Sequence, residues 1–243
     1  VQGCLGSCWF LSAVAVVAMR GGLAERTFAL AAVEGAPAGQ LTVQLWKEGR
    51  WRRVTIDDRL PCDADGSLLY ARSAEPTELW VSLLEKAYAK AHGSYQAISG
   101  GWIAEALLDL TGAPTEMIDL GDERFDSELM WARLRAYHQL GLPMGCGTNN
   151  AEGSQNLKEV GLVGGHAYSI LDVRNACTTA GEVVRLLRVR NPHGCTEWNG
   201  DWSDQSQMWA QLIDSDAGGA SSDAALPRGS FERTGVDDGT FWI

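Results

Sequence analysis

Apolar residues in the first part of the chain recur mostly at helical spacing. Phe10 to Ala18 is a nearly continuous apolar run with the length and composition of a buried helix. From Leu79 to Ala91 the apolar positions recur every three or four residues, after a start at Pro76-Thr77 and before a stop at Gly93. Between these segments, Leu41 to Ile56 carries two strand-like runs around a Lys-Glu-Gly-Arg turn. The pattern predicts two helices separated by a β-hairpin.

The pattern becomes strand-like in the second part. Two more helices are predicted first, from Trp102 to Leu110 and from Asp126 to Leu140, and each is ended by a glycine. An antiparallel sheet is then predicted from three apolar runs: Met144 to Cys146, His166 to Val173 and Val183 to Val189. Residues 174–182 form the predicted turn between the last two strands. Asp214 to Ser230 is rich in Ala, Gly, Ser and Asp and predicts a flexible surface loop.

Ser99-Gly100-Gly101 lies between these two parts and has the composition of a hinge. We therefore expect a helical subdomain over residues 1–100 and a sheet-rich subdomain over residues 101–243. Helices and strands segregated in this way define an α+β fold, and we expect a cleft between the two lobes. Most of the ten tryptophans, including Trp80, Trp102 and Trp131, are expected in the core.

Composition and charge narrow the classes of function. The 243-residue chain has a net charge of −11 and a pI near 4.8, which argues against nucleic acid as a partner. No apolar run is long enough to predict a membrane span. The six cysteines include no C-x-x-C pair, and no secretion signal is recognisable. We therefore expect free thiols in a reducing, cytoplasmic or otherwise intracellular compartment.

Candidate chemistry is concentrated in the turn Gly6-Ser7-Cys8-Trp9, directly before the first predicted helix. Unpaired N–H groups and the helix dipole favour a thiolate at a helix N-terminus, so Cys8 is a candidate nucleophile. The amide of Gln2 could stabilise an oxyanion at the same place. The alternative for an isolated cysteine is an ordinary residue at the start of a packed helix.

The predicted sheet carries two residues that could complete such a site. His166 follows the pair Gly164-Gly165 at the start of one strand, and Asn191 follows the end of the next. If these strands form a hairpin, both residues lie at the same end of it, and Asn191 could orient the imidazole as the third member of a Cys-His-Asn triad. Taken singly, His166 is more often a structural histidine and Asn191 a turn residue.

These residues belong to a series of segments that resembles the protease core of the calpain family of cysteine proteases, which is related to papain. The matching segments run over nearly the whole chain: Gln2-Gly3 to Cys8-Trp9, Val54 to Pro61, Glu78 to Lys90, Gly93-Ser94-Tyr95, Ser99-Gly100-Gly101, Gly165 to Ser169, Arg190-Asn191-Pro192, Glu197 to Asp204 and Asp237 to Trp242. The residues around Cys62 and after His166 are more similar to atypical branches, such as the small-optic-lobes type.

The resemblance implies a papain-like cysteine protease fold, with a helical lobe and an antiparallel-sheet lobe. It implies Cys8 as nucleophile, His166 as general base and acid, Asn191 as its orienting partner and Gln2 as an oxyanion donor. It also implies that two glycines offer backbone contacts to an extended peptide substrate: Gly101 and Gly165.

The resemblance further implies calcium as a cofactor, bound in each lobe. Glu78 matches a ligand of the first-lobe site. The second-lobe site is matched by three carboxylates and one backbone carbonyl: Glu197, Asp204, Asp238 and Val236. Thr240 stands where the family has an acidic ligand, so we expect weakened calcium affinity. The alternative for these carboxylates is a set of plain surface acids.

One departure from the family concerns His193. The family has a Trp after Asn-Pro, whose ring shields the His–Asn hydrogen bond from water. A smaller and polar ring at this shielding position is expected to leave that bond wetter and to reduce activity. The chain also begins seven residues before Cys8 and ends at Phe241-Trp242-Ile243, so accessory domains are expected to be missing from it.

The leading functional prediction is a calcium-responsive intracellular cysteine endopeptidase that makes limited cuts in protein substrates. The first alternative is a catalytically weak or inactive homologue that serves as a scaffold or regulatory module, which His193 and Thr240 motivate. The second is acyl transfer to an amine by a transglutaminase-like Cys-His pair. That chemistry prefers an Asp as third member, and Asn191 speaks against it.

Overall fold

The structure of the chain is a computed structural model that describes residues 1–22, 25, 39–149, 154–213 and 231–243. The chain forms two compact units, Val1–Ile118 and Asp119–Ile243. The first unit extends beyond the boundary expected after residue 100, because the helix Ile103–Thr111 packs against the helix Cys8–Ala18. The loop expected at Asp214 to Ser230 lies outside the described residues.

The first unit combines α-helices with a two-stranded hairpin. Its elements are α1 (Cys8–Ala18), β1 (Gln40–Lys47), β2 (Arg50–Asp57), α2 (Trp80–Ala91), a 3-10 turn (Gln96–Ile98) and α3 (Ile103–Thr111). The strands pair antiparallel with Trp46 opposite Trp51. Glu48 and Gly49 between them have φ values of 54° and 76°, as a two-residue type I′ turn requires. The hairpin prediction is confirmed.

The start of α2 differs from the prediction. The helix begins at Trp80 and not at Pro76-Thr77, because the chain first makes a turn in which the Glu78 N–H donates to the Glu75 carbonyl at 3.1 Å. Its C-terminal end is as predicted, and Gly93 beyond it has a φ of 98°. A left-handed glycine after the last turn is a common way to end a helix.

The core of the first unit is built around α1 and α2. Phe10 of α1 stacks on Tyr88 of α2 with ring centroids 4.1 Å apart. Trp9 meets the same tyrosine edge-on, at 5.7 Å, and its indole N–H donates to the Ile98 carbonyl at 3.1 Å. The polar edge of Trp9 is therefore satisfied although the residue is buried. These contacts fix the beginning of α1 against the rest of the unit.

The second unit contains a four-stranded antiparallel sheet. Its elements are α4 (Ser127–Gln139), β3 (Met144–Gly147), α5 (Ser154–Glu159), β4 (Ala167–Cys177), β5 (Val183–Arg190), a 3-10 turn (Gln207–Gln211) and β6 (Thr240–Trp242). The strand order is β3-β4-β5-β6. β4 is longer than predicted, which shortens the β4–β5 turn to residues 178–182, and β6 was not predicted.

Each face of this sheet packs against a different apolar cluster. On one side, α4 contributes Trp131, Leu134 and Tyr137 to a cluster around Met144 and Ile170. Another cluster is rich in tryptophan and contains Ala176, Leu186, Trp202, Trp209, Leu212, Phe231 and Trp242. The two units together give the mixed helix and antiparallel-sheet content of an α+β, papain-like fold, as predicted.

The expectation of a buried tryptophan is wrong for Trp102, which is 66% exposed at the N-terminal cap of α3. Trp80 and Trp131 are half-buried. All six cysteines are free thiols, as expected. Of the helices in the described part of the chain, none is long and apolar enough to cross a membrane.

Candidate active site

Cys8 is the first residue of α1, where the sequence predicted it. Its side chain is half-buried, whereas Ser7 before it is buried and serves as the N-cap residue. The helix presents its first backbone N–H groups at this end. The position therefore suits a nucleophilic sulfur beside a potential oxyanion donor.

The turn before Cys8 is held by backbone contacts from two other segments. The Gly100 N–H donates to the Gly6 carbonyl at 2.8 Å, and the Cys4 N–H donates to the Leu69 carbonyl at 3.0 Å. At Gly3 a Cβ atom would lie 2.4 Å from that same Leu69 oxygen, so only glycine allows this approach. The turn is consequently fixed through its backbone.

Gln2 lies in this turn, and its amide is already engaged. Its Nε2 donates to the Leu5 carbonyl at 2.6 Å, and its Oε1 is buried with no hydrogen-bond partner among the described residues. An amide nitrogen carries two protons, so one N–H of Gln2 remains to serve another acceptor.

The second unit brings His166 and Asn191 together. β4 and β5 pair antiparallel with Ser169 opposite Arg190, so the residue before β4 and the residue after β5 lie at the same end of the sheet. His166 Nε2 lies 2.8 Å from Asn191 Oδ1. The histidine is 6% exposed and the asparagine 0%. The expectation that this hairpin makes the two residues neighbours is confirmed.

The hydrogen bonds of Asn191 determine the proton position on His166. Asn191 Nδ2 donates to the carbonyls of Cys195 and Thr196 at 2.9 and 3.0 Å, so Oδ1 must be the atom that faces the imidazole. An amide oxygen only accepts, hence His166 Nε2 carries a hydrogen. Nδ1 is then the basic nitrogen of the neutral ring. The backbone of His166 is also fixed, by Thr148 Oγ1 at 3.1 Å.

His193 lies against the imidazole of His166. The two ring centroids are 4.3 Å apart with an interplanar angle of 35°, and Tyr168 approaches His166 edge-on at 5.0 Å. Burial lowers the pKa of His166, the bond with Asn191 opposes this shift, and the charge of His193 adds to it. Burial also lowers the pKa of His193 itself. The position at which the resemblance implies a Trp thus holds a second titratable ring.

The two glycines expected to contact substrate are both exposed in their own units. Gly101 follows the Gly100 contact to the Cys8 turn, and a Cβ there would lie 2.5 Å from the Trp9 ring. Gly165 precedes His166 with a φ of 60°. Each glycine therefore leaves its backbone accessible beside one of the candidate catalytic residues.

The expected second-lobe calcium ligands converge on residues 234–240. Glu197 Oε1 accepts the N–H groups of Asp238 and Gly239, both at 2.8 Å, and Asp204 Oδ2 accepts the Gly235 N–H at 3.0 Å. Burial raises the pKa of Glu197, which the two N–H donors oppose and the charges of Asp204 and Asp237 reinforce.

Asp204 supplies the observation that favours a cation there. Its Oδ1 is buried without a hydrogen-bond partner in the described part of the chain. Together with Glu197, Asp238 and the Val236 carbonyl it offers only oxygen donors, the kind that Ca²⁺ prefers. Among the described residues, however, the three carboxylates do not bring their oxygens within 4.8 Å of one another, so the calcium site stays a prediction.

Glu78, the expected first-lobe ligand, accepts the Ser73 hydroxyl at 2.8 Å and the Trp80 indole N–H at 3.4 Å. Among the described residues, Glu78 belongs to no group of three potential ligand atoms within 4.8 Å of one another. Its expected role stays a prediction.

One group of described residues brings three potential ligand atoms within 4.8 Å of one another: His92, Glu105 and Asp109. The Lys47 ammonium contacts all three residues: it lies 2.8 Å from His92 Nε2 and 4.0 Å from the Glu105 carboxylate, and it forms an ion pair with Asp109. An ammonium only donates, and its positive charge takes the place of a metal ion. The group is therefore an internal ion network and not a metal site.

Sequence reasoning missed Glu85 and Thr148 near the candidate residues. Glu85 is a buried carboxylate that accepts the Ser7 hydroxyl, and Thr148 fixes the backbone of His166. A carboxylate among the apolar positions of α2 was the available signal for Glu85. Thr148 carries no comparable signal, since its partner is distant in sequence.

Comparison with known proteins gives the family. A family model described as calpain family cysteine protease matches residues 1–243. The calpain-type cysteine protease ADL1 of Oryza sativa subsp. japonica is 41% identical over 217 residues, which cover 87% of this chain and 10% of that protein. The calpain-1 catalytic subunit of Rattus norvegicus is 41% identical over 216 residues, which cover 87% of this chain and 29% of that protein.

Calpain clp-1 of Caenorhabditis elegans matches the chain from end to end. It is 41% identical over 249 residues, which cover 100% of this chain and 30% of that protein. The chain thus spans 10% to 30% of the length of these three relatives. The chain belongs to the calpain family of cysteine proteases.

Proposed function

We propose that the chain is the protease core of a calcium-responsive, intracellular cysteine endopeptidase that makes limited cuts in protein substrates. Cys8, His166 and Asn191 act together as its Cys-His-Asn triad. The buried 2.8 Å hydrogen bond between His166 and Asn191 is the observation that carries this proposal. An imidazole with a fixed tautomer and a basic Nδ1 is what a cysteine nucleophile needs as its partner.

In the proposed reaction, His166 Nδ1 takes the proton of the Cys8 thiol, and the sulfur attacks the carbonyl carbon of a peptide bond. The oxyanion is stabilised by the first backbone N–H of α1 and by the remaining amide N–H of Gln2. His166 then gives the proton to the leaving amine, which leaves a thioester on Cys8. Finally, water loses a proton to His166 and hydrolyses the thioester.

Covalent labelling of Cys8 tests the catalytic part of the proposal. We expect an epoxysuccinyl peptide to modify Cys8, as located by mass spectrometry, and the chain to digest casein. Cys8→Ala should abolish both results. Cys4→Ala is the matched control, because Cys4 is an exposed thiol in the same turn and should be dispensable. Casein cleavage that survives Cys8→Ala would refute the proposed nucleophile.

Calcium is proposed to bind at Glu197, Asp204, Asp238 and the Val236 carbonyl. The unpartnered Asp204 Oδ1 and the all-oxygen donor set support this site. Thr240 supplies only a hydroxyl, so the affinity is expected to be low. When bound, calcium would neutralise carboxylate charge around residues 234–240. That segment contacts Asn191, because the Asn191 N–H donates to the Gly239 carbonyl at 2.7 Å.

Thermal unfolding measured against calcium concentration tests the site. Calcium should raise the midpoint in a saturable way, because a ligand that binds the folded state stabilises it. Asp204→Asn should remove the effect. Asp172→Asn, which alters a carboxylate paired with Arg174 elsewhere in the same unit, should retain it. An equal calcium response in both variants would exclude Asp204 as a ligand.

A catalytically weak scaffold is the second candidate function, and His193 favours it. A polar ring beside His166 replaces the apolar shield of the family. The labelling experiment separates the two functions, since a Cys8 that stays unlabelled with and without calcium would indicate a scaffold.

A further inference from the structure

Glu85 is a fully buried carboxylate that the proposed mechanism does not use. It lies on α2 and is 0% exposed. Its Oε1 accepts the Ser7 hydroxyl at 2.6 Å, and its Oε2 accepts the Ala71 N–H at 2.8 Å. Both partners donate, so the geometry corresponds to an ionised carboxylate whose two oxygens are used.

The bond with Glu85 changes what Ser7 does for α1. A serine at an N-cap position usually accepts a backbone N–H from the first turn of its helix. Ser7 makes no such cap bond, because its hydroxyl instead points to Glu85. The first N–H groups of α1 are therefore not covered by the Ser7 side chain. They stay available on the side where Cys8 begins the helix.

The second bond connects Glu85 to the other support of the Cys8 turn. Ala71 belongs to the segment 69–72, whose Leu69 carbonyl accepts the Cys4 N–H at 3.0 Å. Ser82 of α2 fixes the same segment, through its hydroxyl bond to the Ala71 carbonyl at 2.6 Å. One carboxylate thus joins the residue before Cys8 to the segment that supports the start of the turn.

Burial raises the pKa of Glu85, and the bonds from Ser7 and Ala71 oppose that shift. Within the described part of the chain no cationic side chain contacts Glu85, and a carboxylate buried in this way is costly for the fold. The nearby N-terminus of α1, with its positive dipole end, is a favourable place for such an anion. The location of the charge is thus tied to the start of the helix that carries Cys8.

We propose that Glu85 is a positioning residue for Cys8, which holds the Ser7 hydroxyl away from the helix and so keeps the N–H groups in the first turn of α1 open to the sulfur. This inference rests on the proposed function, in which Cys8 is the nucleophile. Glu85 acts only through Ser7 and does not touch substrate.

A double-mutant cycle tests the inference. Glu85→Gln keeps the shape of the side chain but reverses the polarity of one bond, and Ser7→Ala removes the same bond from the other side. We expect Glu85→Gln to lower kcat roughly tenfold with KM changed by less than about twofold, because the released Ser7 hydroxyl can then cover N–H groups of α1. Ser7→Ala has no hydroxyl that could cover them, so it should keep a kcat within about twofold of the unmodified chain. The double variant should recover most of the kcat that Glu85→Gln loses, because the two residues act as one unit.

Asp109→Asn is the matched control. Asp109 is another buried carboxylate of the same unit, and it accepts the Tyr88 hydroxyl at 2.7 Å without contact to Ser7. Its replacement should lower thermal stability and leave kcat per labelled Cys8 unchanged. Rates for all variants are expressed per Cys8 that an epoxysuccinyl peptide labels, so partial unfolding does not count as lost turnover.

Three outcomes would overturn the inference: kcat unchanged in Glu85→Gln, no recovery of kcat in the double variant, or an equal loss in Asp109→Asn. If Glu85→Gln does not fold, Glu85→Asp takes its place, because its shorter side chain draws the carboxylate back from Ser7, and an unchanged kcat in Glu85→Asp refutes the role. Failure of the proposed function would look different, because the unmodified chain itself would then neither label at Cys8 nor cleave casein.

Discussion

The candidate catalytic residues of the two units are fixed by different means. In the first unit, Cys8 gains its chemistry from the end of α1 and from a turn held by backbone contacts to Gly100 and Leu69. In the second unit, His166 depends on the side chain of Asn191, whose amide makes bonds on both its oxygen and its nitrogen. Cys8 is therefore positioned by backbone geometry, and His166 is positioned by a side-chain network.

This difference predicts unequal sensitivity to substitution. A side-chain network loses its function when one member is removed, because the remaining buried partners are left unsatisfied. A backbone arrangement tolerates changes of side chain and fails only when the backbone must move. Glu85 is the exception in the first unit, since it links the turn to α2 through side-chain bonds.

Removal of the Asn191 side chain should have the largest effect on activity and stability. Asn191→Ala leaves His166 Nε2–H and two carbonyls without their buried partner. We expect kcat to fall by roughly 100-fold and the free energy of unfolding to fall by about 2–3 kcal/mol. Peptide hydrolysis and urea unfolding measure the two effects. Asn199→Ala, which removes one exposed bond to Glu159, should leave both nearly unchanged.

A backbone change beside Asn191 should have the next largest effect. Gly239 has a φ of 82°, and a Cβ there would lie 2.9 Å from the Asn191 carbonyl oxygen. Gly239→Ala must therefore displace Asn191, and we expect roughly tenfold lower kcat and a loss of about 2 kcal/mol or more in the free energy of unfolding.

Gly181→Ala is the control for this backbone change. Gly181 has a φ of 84°, and no described atom lies within 4 Å of its added Cβ. It should therefore show only the strain of the left-handed backbone, about 1 kcal/mol, with normal kcat. Equal activity in the two alanine variants would contradict the claim that Gly239 positions Asn191.

The smallest effect is expected at His193. Its charge contributes to the lowered pKa of His166, so His193→Gln should move that pKa upward, toward the ordinary value. NMR titration of the His166 ring protons in a Cys8→Ala background measures the shift. His193→Trp should instead raise turnover a few-fold by shielding the His166–Asn191 bond from water. An unchanged turnover would argue against the shielding account.

His193→Gln should also alter the pH dependence of stability. A histidine whose pKa is lowered by folding contributes stability above its ordinary pKa of 6.5, and this contribution is lost as the pH falls toward the folded value. Both His166 and His193 have lowered pKa values. His193→Gln should therefore lose less stability between pH 7 and pH 5 than the unmodified chain, as measured by urea unfolding at each pH.

The sequence predicted the parts of the site that depend on local pattern. A turn followed by an apolar run was sufficient to place Cys8 at the start of α1. Two strands with a turn between them were sufficient to bring His166 and Asn191 to one end of a hairpin. In both cases the information lies within a short stretch of chain, where periodicity and turn residues are informative.

The parts that were missed depend on contacts between distant segments. The hydrogen bond from Ser7 to Glu85 joins residues 78 positions apart, and the hydrophobic periodicity of the sequence does not indicate it. β6 has three residues, too few for an alternating pattern, and forms because it pairs with β5. Trp102 looked like a core residue because its neighbours are apolar, yet it caps α3 on the exposed side.

The ion network at Lys47 has a practical consequence for experiments with chelators. Its ammonium joins the hairpin to the ends of α2 and α3, so the first unit supplies that cation covalently, as part of its own chain. EDTA can strip a dissolved ion from a protein, but it cannot remove a lysine. The Lys47 ion network should therefore stay intact in the presence of a chelator. Its retention is a reference against which any loss of structure on calcium removal can be compared.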